Sequence, residues 1–110
     1  ELLEKNNMKY VFIVNPTSGR GRAIKAADTI KKVCEEKKFK YEMHFTEAPY
    51  DATKIVKKYR LQQNIIYSVG GDGTLNEVVN GIIGSKNMLG VLPCGSGNDF
   101  VKVFGKANHL

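Results

Sequence analysis

The sequence has no tryptophan, only two cysteines, two histidines and three prolines in 110 residues. Cys34 and Cys94 stand far apart with no C-x-x-C pattern, which argues against a disulfide framework and against a zinc site. His44 and His109 have no Cys or carboxylate cluster around them, so no metal centre is read from them. No apolar run approaches the roughly 18 residues that would span a bilayer, and Glu1–Asn7 is too polar for a secretory core. Internal repeats, low-complexity stretches and linkers are absent as well. The chain also lacks an acidic balance: 17 Lys and Arg against 11 Asp and Glu give a formal net charge of +6. That excess suits an anionic partner, whether nucleotide, membrane surface or nucleic acid, without choosing among them.

What is present is an ordinary apolar content of 42%, enough in 110 residues for one domain with a modest core. Residues 1–7 are read as an N-terminal extension or expression remnant, because Met8 stands where a natural start could be; the domain is placed at 8–110. Tyr10 to Val14 is a continuous apolar run, as in a strand buried on both faces. Tyr41 to Phe45 alternates more and reads as a less buried strand. Ile65 to Val69 and Met88 to Leu92 complete four strand signals.

Helical periods separate them. Ala23, Ala27, Ile30 and Cys34 share one helix face. Ala52, Ile55, Val56 and Tyr59 make a second stripe, with Asp51 as the expected N-cap. Leu75, Val78, Val79, Ile82 and Ile83 make a third, ended at Gly84, and Thr74 to Glu77 has the form of a capping box. A last short helix is expected from Asn98 or Asp99 to Phe104. The order β-α-β-α-β-α-β-α predicts an α/β fold: a parallel sheet with helices on both faces.

Three loops that follow strands are dense in Gly, Asn, Asp, Ser and Thr: Asn15-Pro16-Thr17-Ser18-Gly19, Gly70-Gly71-Asp72-Gly73-Thr74, and Pro93 to Asp99. In an open α/β sheet, ligands bind outside the carboxyl ends of the strands. Glycines allow close backbone approach, and N–H groups leading into a helix cradle an anion, with phosphate the natural guest. A carboxylate such as Asp72 in that cradle would be repelled by phosphate unless a Mg²⁺ ion, held directly or through water, stood between them. Tight βα turns are the plain alternative for each loop alone; three on one rim favour a binding crevice. Neither G-x-G-x-x-G nor G-x-x-x-x-G-K-[ST] is present, so the residues by themselves reach only a phosphate-bearing ligand.

Taken together, Asn15 to Gly19, Gly70 to Gly81, and Gly90 to Pro93 with Gly95 to Phe100 resemble the diacylglycerol kinase catalytic domain family, in its bacterial lipid-kinase form. The resemblance implies a three-layer Rossmann-like domain with a mostly parallel sheet, as in NAD kinases and diacylglycerol kinases. It implies transfer of the γ-phosphate of ATP to a lipid hydroxyl, most simply that of diacylglycerol, with ATP and Mg²⁺ as cofactors. On this sequence the implied nucleotide-binding residues are Asn15, Pro16, Thr17, Ser18, Gly19, Thr46, Gly70, Gly71, Asp72, Gly73, Thr74, Leu75, Asn76, Glu77, Gly95, Ser96, Gly97 and Asn98. Asp72 is the implied catalytic and metal-linked residue. Ser96 stands where bacterial relatives usually carry Thr, and the hydroxyl is kept.

The family also implies a second, mainly β domain that supplies the general base, a structural Mg²⁺ site and much of the lipid cleft, and nothing in this sequence can be it. The chain is therefore expected to be weak or inactive alone. The implied setting is the cytoplasm, with peripheral contact on the inner membrane face left open. An NAD kinase-like phosphotransferase and a non-catalytic ATP-binding module are the competing readings. Arg20 and Arg22 lie close enough to the rim to meet phosphate or lipid, while most lysines read as a solvated face. Nucleic acid is not expected, because no known module is present.

Overall fold

The structure is a computed structural model that describes residues 8–93. The expected helix at 98–104 and the loop residues Gly95, Ser96, Gly97 and Asn98 lie outside the described residues. Within them, seven elements alternate as the hydrophobic periods predict. These are β1 (Tyr10–Val14), α1 (Arg22–Lys37), β2 (Tyr41–Phe45), α2 (Asp51–Lys57), β3 (Ile65–Gly70), α3 (Asp72–Ile82) and β4 (Met88–Pro93). The four strands form one parallel sheet in the order β2-β1-β3-β4.

β1 lies between β2 and β3, and its Val11, Phe12, Ile13 and Val14 are completely buried. Period-2 alternation assigns its side chains to two cores. Phe12 and Val14, with Val69 and Leu92, pack under α1 through Ala23, Ala26, Ala27, Ile30, Val33 and Cys34. Val11 and Ile13, with Ile66, face Ala52, Val56 and Tyr59 from the α2 region and Val78 from α3. The sheet is thus covered on both faces, as a continuous apolar β1 requires. α2 and α3 approach closely at Gly81, where an added Cβ would stand 2.7 Å from the Val56 Cβ. Even alanine there would force the two helices apart.

Three local expectations are corrected. Asp51 is the first residue of α2, not its cap; Tyr50 holds the cap position in the left-handed region at φ 71°. The stripe assigned to α3 does not reach Ile83, which is 71% exposed beyond the helix end. The capping box is not formed. α3 starts three residues earlier than that pattern implies, after Gly71, with no side-chain cap. Thr74 is then inside the helix and buried, and Glu77 is free to bond elsewhere.

Candidate functional site

In the order β2-β1-β3-β4 the chain reverses direction between β1 and β3, and this switch point is where a crevice opens at the strands' carboxyl ends. The loops leaving β1 and β3 meet there. Asn15 donates its N–H to the Val69 carbonyl at 3.1 Å, which ties the first loop to β3. The Asn15 Oδ1 accepts from the Thr17 N–H at 3.2 Å and the Thr17 hydroxyl at 2.9 Å, an Asx turn that fixes the loop's shape. Gly19, Arg20 and Gly21 follow in the left-handed region and turn the chain into α1. The Arg22 Nε donates to the Gly19 carbonyl at 2.9 Å, so this guanidinium braces its own loop, while Arg20 stands exposed.

The two loops touch across Gly70. A Cβ on that residue would lie 2.8 Å from the Thr74 hydroxyl oxygen and 3.2 Å from that of Ser18. This glycine is required by close packing. Gly71 and Gly73 are different: both are exposed, neither has a left-handed φ, and no described residue lies within 4 Å of an added Cβ. Their lack of a side chain leaves open space above the start of α3. The first turn of that helix, Asp72 to Thr74, presents N–H groups without intrahelical acceptors, and the helix dipole adds positive potential at this end. Thr46, at the end of β2, joins the rim by donating its N–H to the Val14 carbonyl at 2.9 Å.

A cleft of about 370 Å³ opens over this junction, lined by Asn15 and Thr17, by Thr46, Glu47, Ala48, Pro49 and Ala52, and by Gly73, Thr74 and Glu77. Its size falls in the range of small-molecule sites. Of the residues singled out in sequence, Asn15, Thr17, Thr46, Gly73, Thr74 and Glu77 converge on it. Pro16, Ser18 and Gly19 form the body of the first loop, and Gly70, Gly71 and Asp72 make the β3–α3 junction at its edge. Leu75 and Asn76 sit further along α3 and do not line the cleft. Glu47, Ala48, Pro49 and Ala52 were not anticipated. They carry no glycine-rich signal; only their place after β2, beside Thr46, could have pointed to them.

The metal expectation can be tested against these residues. Asp72 is exposed at the start of α3, and among the described residues no group of three His, Cys, Asp or Glu is placed to hold an ion. One carboxylate is no dedicated cage. It fits Mg²⁺, which keeps its waters and is commonly shared between one or two carboxylates and substrate phosphates.

A parallel sheet covered on both faces, with a cleft and a helix N-terminus at its switch point, defines an α/β domain with room for a ligand at the carboxyl ends of its strands. The diacylglycerol kinase catalytic domain model matches residues 9–109, and the chain belongs to that family. It is 38% identical over 97 residues to the diacylglycerol kinase of Bacillus subtilis (strain 168), covering 86% of this chain and 32% of that protein. It is 39% identical over 103 residues to the diacylglycerol kinase of Staphylococcus saprophyticus, covering 90% of this chain and 32% of the relative. A crystal structure of a diacylglycerol kinase from Bacillus anthracis str. Sterne superposes with a TM-score of 0.62 at 29% identity, over 88% of this chain and 36% of that one. The chain therefore spans about a third of the length of the curated relatives it matches. No helix among the described residues is long and apolar enough to cross a membrane.

Proposed function

We propose that this chain is the nucleotide-binding domain of a lipid kinase that transfers the γ-phosphate of Mg-ATP to a lipid hydroxyl, with diacylglycerol the preferred acceptor and phosphatidic acid the product. The observation that carries the reading is the open, side-chain-free space over the α3 N-terminus, continuous with a cleft of mixed polar and apolar lining at the switch point. Family membership and the names of the relatives support the kinase class.

In this reading the phosphates lie over Gly71 to Thr74, where backbone N–H groups and the helix dipole oppose their charge. Mg²⁺, when bound, neutralises charge on the transferring phosphoryl group, and Asp72 is the residue of this chain that would hold it. Asn15 and Thr17 form one wall of the nucleotide cleft, and Thr46 to Pro49 form the other. Catalysis of this type depends on positioning and charge neutralisation more than on covalent chemistry. The general base and most of the lipid cleft belong to a following β-rich domain of the full-length protein, which acts in the cytoplasm at the inner membrane face.

The test is transfer of labelled γ-phosphate from Mg-ATP to a panel of lipids in mixed micelles by the full-length protein. Transfer to diacylglycerol, reduced at least about 100-fold by Asp72→Asn, is the expected result. A folded full-length protein that binds ATP but phosphorylates no lipid would sink the assignment.

A further inference from the structure

Glu77 belongs to the phosphate-loop motif by sequence, yet its carboxylate turns to another helix. Its Oε2 accepts from the Tyr50 N–H at 3.1 Å and its Oε1 from the Ala52 N–H at 3.2 Å. Its backbone carbonyl accepts from the Thr53 hydroxyl at 2.7 Å. All three donors lie at or just before the start of α2. Helix N-termini leave N–H groups without partners, and here the missing cap comes from α3.

The segment held in this way is the wall of the cleft. Thr46, Glu47, Ala48, Pro49 and Ala52 line it, opposite Asn15 and Thr17. A second carboxylate works from the other side: the Asp51 Oδ2 accepts from the Glu47 N–H at 2.8 Å and the Ala48 N–H at 2.9 Å. Four N–H groups in six residues are thereby fixed by two acidic side chains. Between them stands Tyr50, a bulky residue in the left-handed region, a conformation that persists only when its surroundings enforce it. Its N–H bond to Glu77 is part of that enforcement.

We propose that Glu77 is a positioning residue, whose carboxylate clamps the β2–α2 segment as the second wall of the nucleotide cleft, in register with the α3 N-terminus. One helix then sets both the phosphate cradle and the wall, because Asp72 and Glu77 lie on the same rigid α3. A pre-formed wall removes the ordering cost that nucleotide would otherwise meet on binding. The role rests on the nucleotide reading of the cleft.

The test is Glu77→Gln in the full-length protein, read in two ways. Gln offers one acceptor in place of two, so amide exchange at Tyr50 and Ala52 should accelerate about tenfold or more in the nucleotide-free protein, as loss of a hydrogen bond predicts. The KM for ATP should rise about tenfold while kcat stays within about twofold, the pattern of lost binding without lost transition-state chemistry. Should Glu77→Gln not fold, Asp51→Asn, which loosens the same segment at Glu47 and Ala48, must raise KM in the same way. A raised KM with unchanged exchange would make Glu77 a direct nucleotide ligand and overturn the clamp. Faster exchange with unchanged KM would overturn it too. An unmodified protein that binds no ATP would sink the nucleotide reading first and the clamp with it.

Discussion

The two edges of the sheet are built on opposite terms. β2 presents a polar cluster. The Lys9 Nζ meets Glu42 at 2.6 Å, the Tyr59 hydroxyl donates to the same carboxylate, and the His44 Nε2 lies 2.5 Å from the Tyr59 oxygen. The other face of β2 packs Tyr41 and Met43 against the α1 core. β4, at the far edge, has no charged residue, and its Met88, Leu89 and Val91 are 48%, 42% and 47% exposed. Charge on an edge strand discourages pairing with another chain, and an apolar edge invites it. The β2 edge is therefore finished by its own side chains, whereas β4 carries an interior strand's composition at the edge of the sheet that the described residues form. The cleft lies between them and draws its second wall from the segment that follows the finished edge.

The strongest way to calibrate the comparison is to cut the strand that separates the edges. Phe12 is fully buried in β1 and stacks on Tyr67 at 5.3 Å between ring centroids. Phe12→Ala should cost about 3–5 kcal/mol in urea unfolding. A loss below about 1 kcal/mol would mean that the sheet's centre is no better packed than its edges.

A smaller effect tests whether the polar edge is a true cluster. Tyr59→Phe leaves the ring packing and deletes the hydroxyl shared by Glu42 and His44, at an expected cost of about 1–2 kcal/mol. The pH dependence carries a sign. Hydrogen bonds from Lys9 and Tyr59 hold Glu42 below its usual 4.5, so its contribution is present above that value and lost as pH falls. Burial, then the bond to Glu42, pushes Tyr59 above its usual 10.0, so its contribution is present below that value and lost as pH rises further. Tyr59→Phe should make the acid limb of the stability profile shallower and remove part of the alkaline limb. Tyr67 and Cys34, each pushed up to about 12 by burial, contribute to the remainder, as do Tyr10 and Tyr41, both also raised by burial first. An acid limb identical to that of the unmodified protein would show that the Tyr59 bond contributes nothing to Glu42.

The elements that were legible in sequence are those whose pattern is local. The unbroken run at β1, the four-three-four spacing of α1 and the glycine-rich loops after β1 and β3 each carry their own signal, and each appears where it was read. What escaped is relational. Glu77 reads as a capping-box residue because Thr74 stands three places before it, but the helix starts earlier and the carboxylate finds Tyr50 and Ala52, more than twenty residues away in sequence. Asp51 reads as a cap and instead braces the turn before it, because Tyr50 takes the cap position in a left-handed conformation that no periodicity signals. Ala48 and Pro49 line the cleft without any chemical mark in sequence; the sheet order alone brings them there.

The smallest effect on stability discriminates most sharply between the edges. Val91 is 47% exposed on β4, where it pairs in register with the buried Ser68 of β3. A lysine at an exposed edge position has water for its ammonium and apolar surface for its stem, so Val91→Lys should change unfolding free energy by no more than about 0.5 kcal/mol. Its effect should fall on association: light scattering from the purified chain should depend less on concentration in the variant, because a charged edge pairs poorly. The corresponding change at the other edge, Glu42→Val, should do the reverse, costing stability through Lys9 and Tyr59 while making β2 more prone to pairing. A cost above about 2 kcal/mol for Val91→Lys would mean that this side chain is buried in the protein as it exists in solution, since only burial makes an added charge that expensive. In that case β4 would not be an edge, and the contrast between the two sides of the sheet would fail at its apolar side.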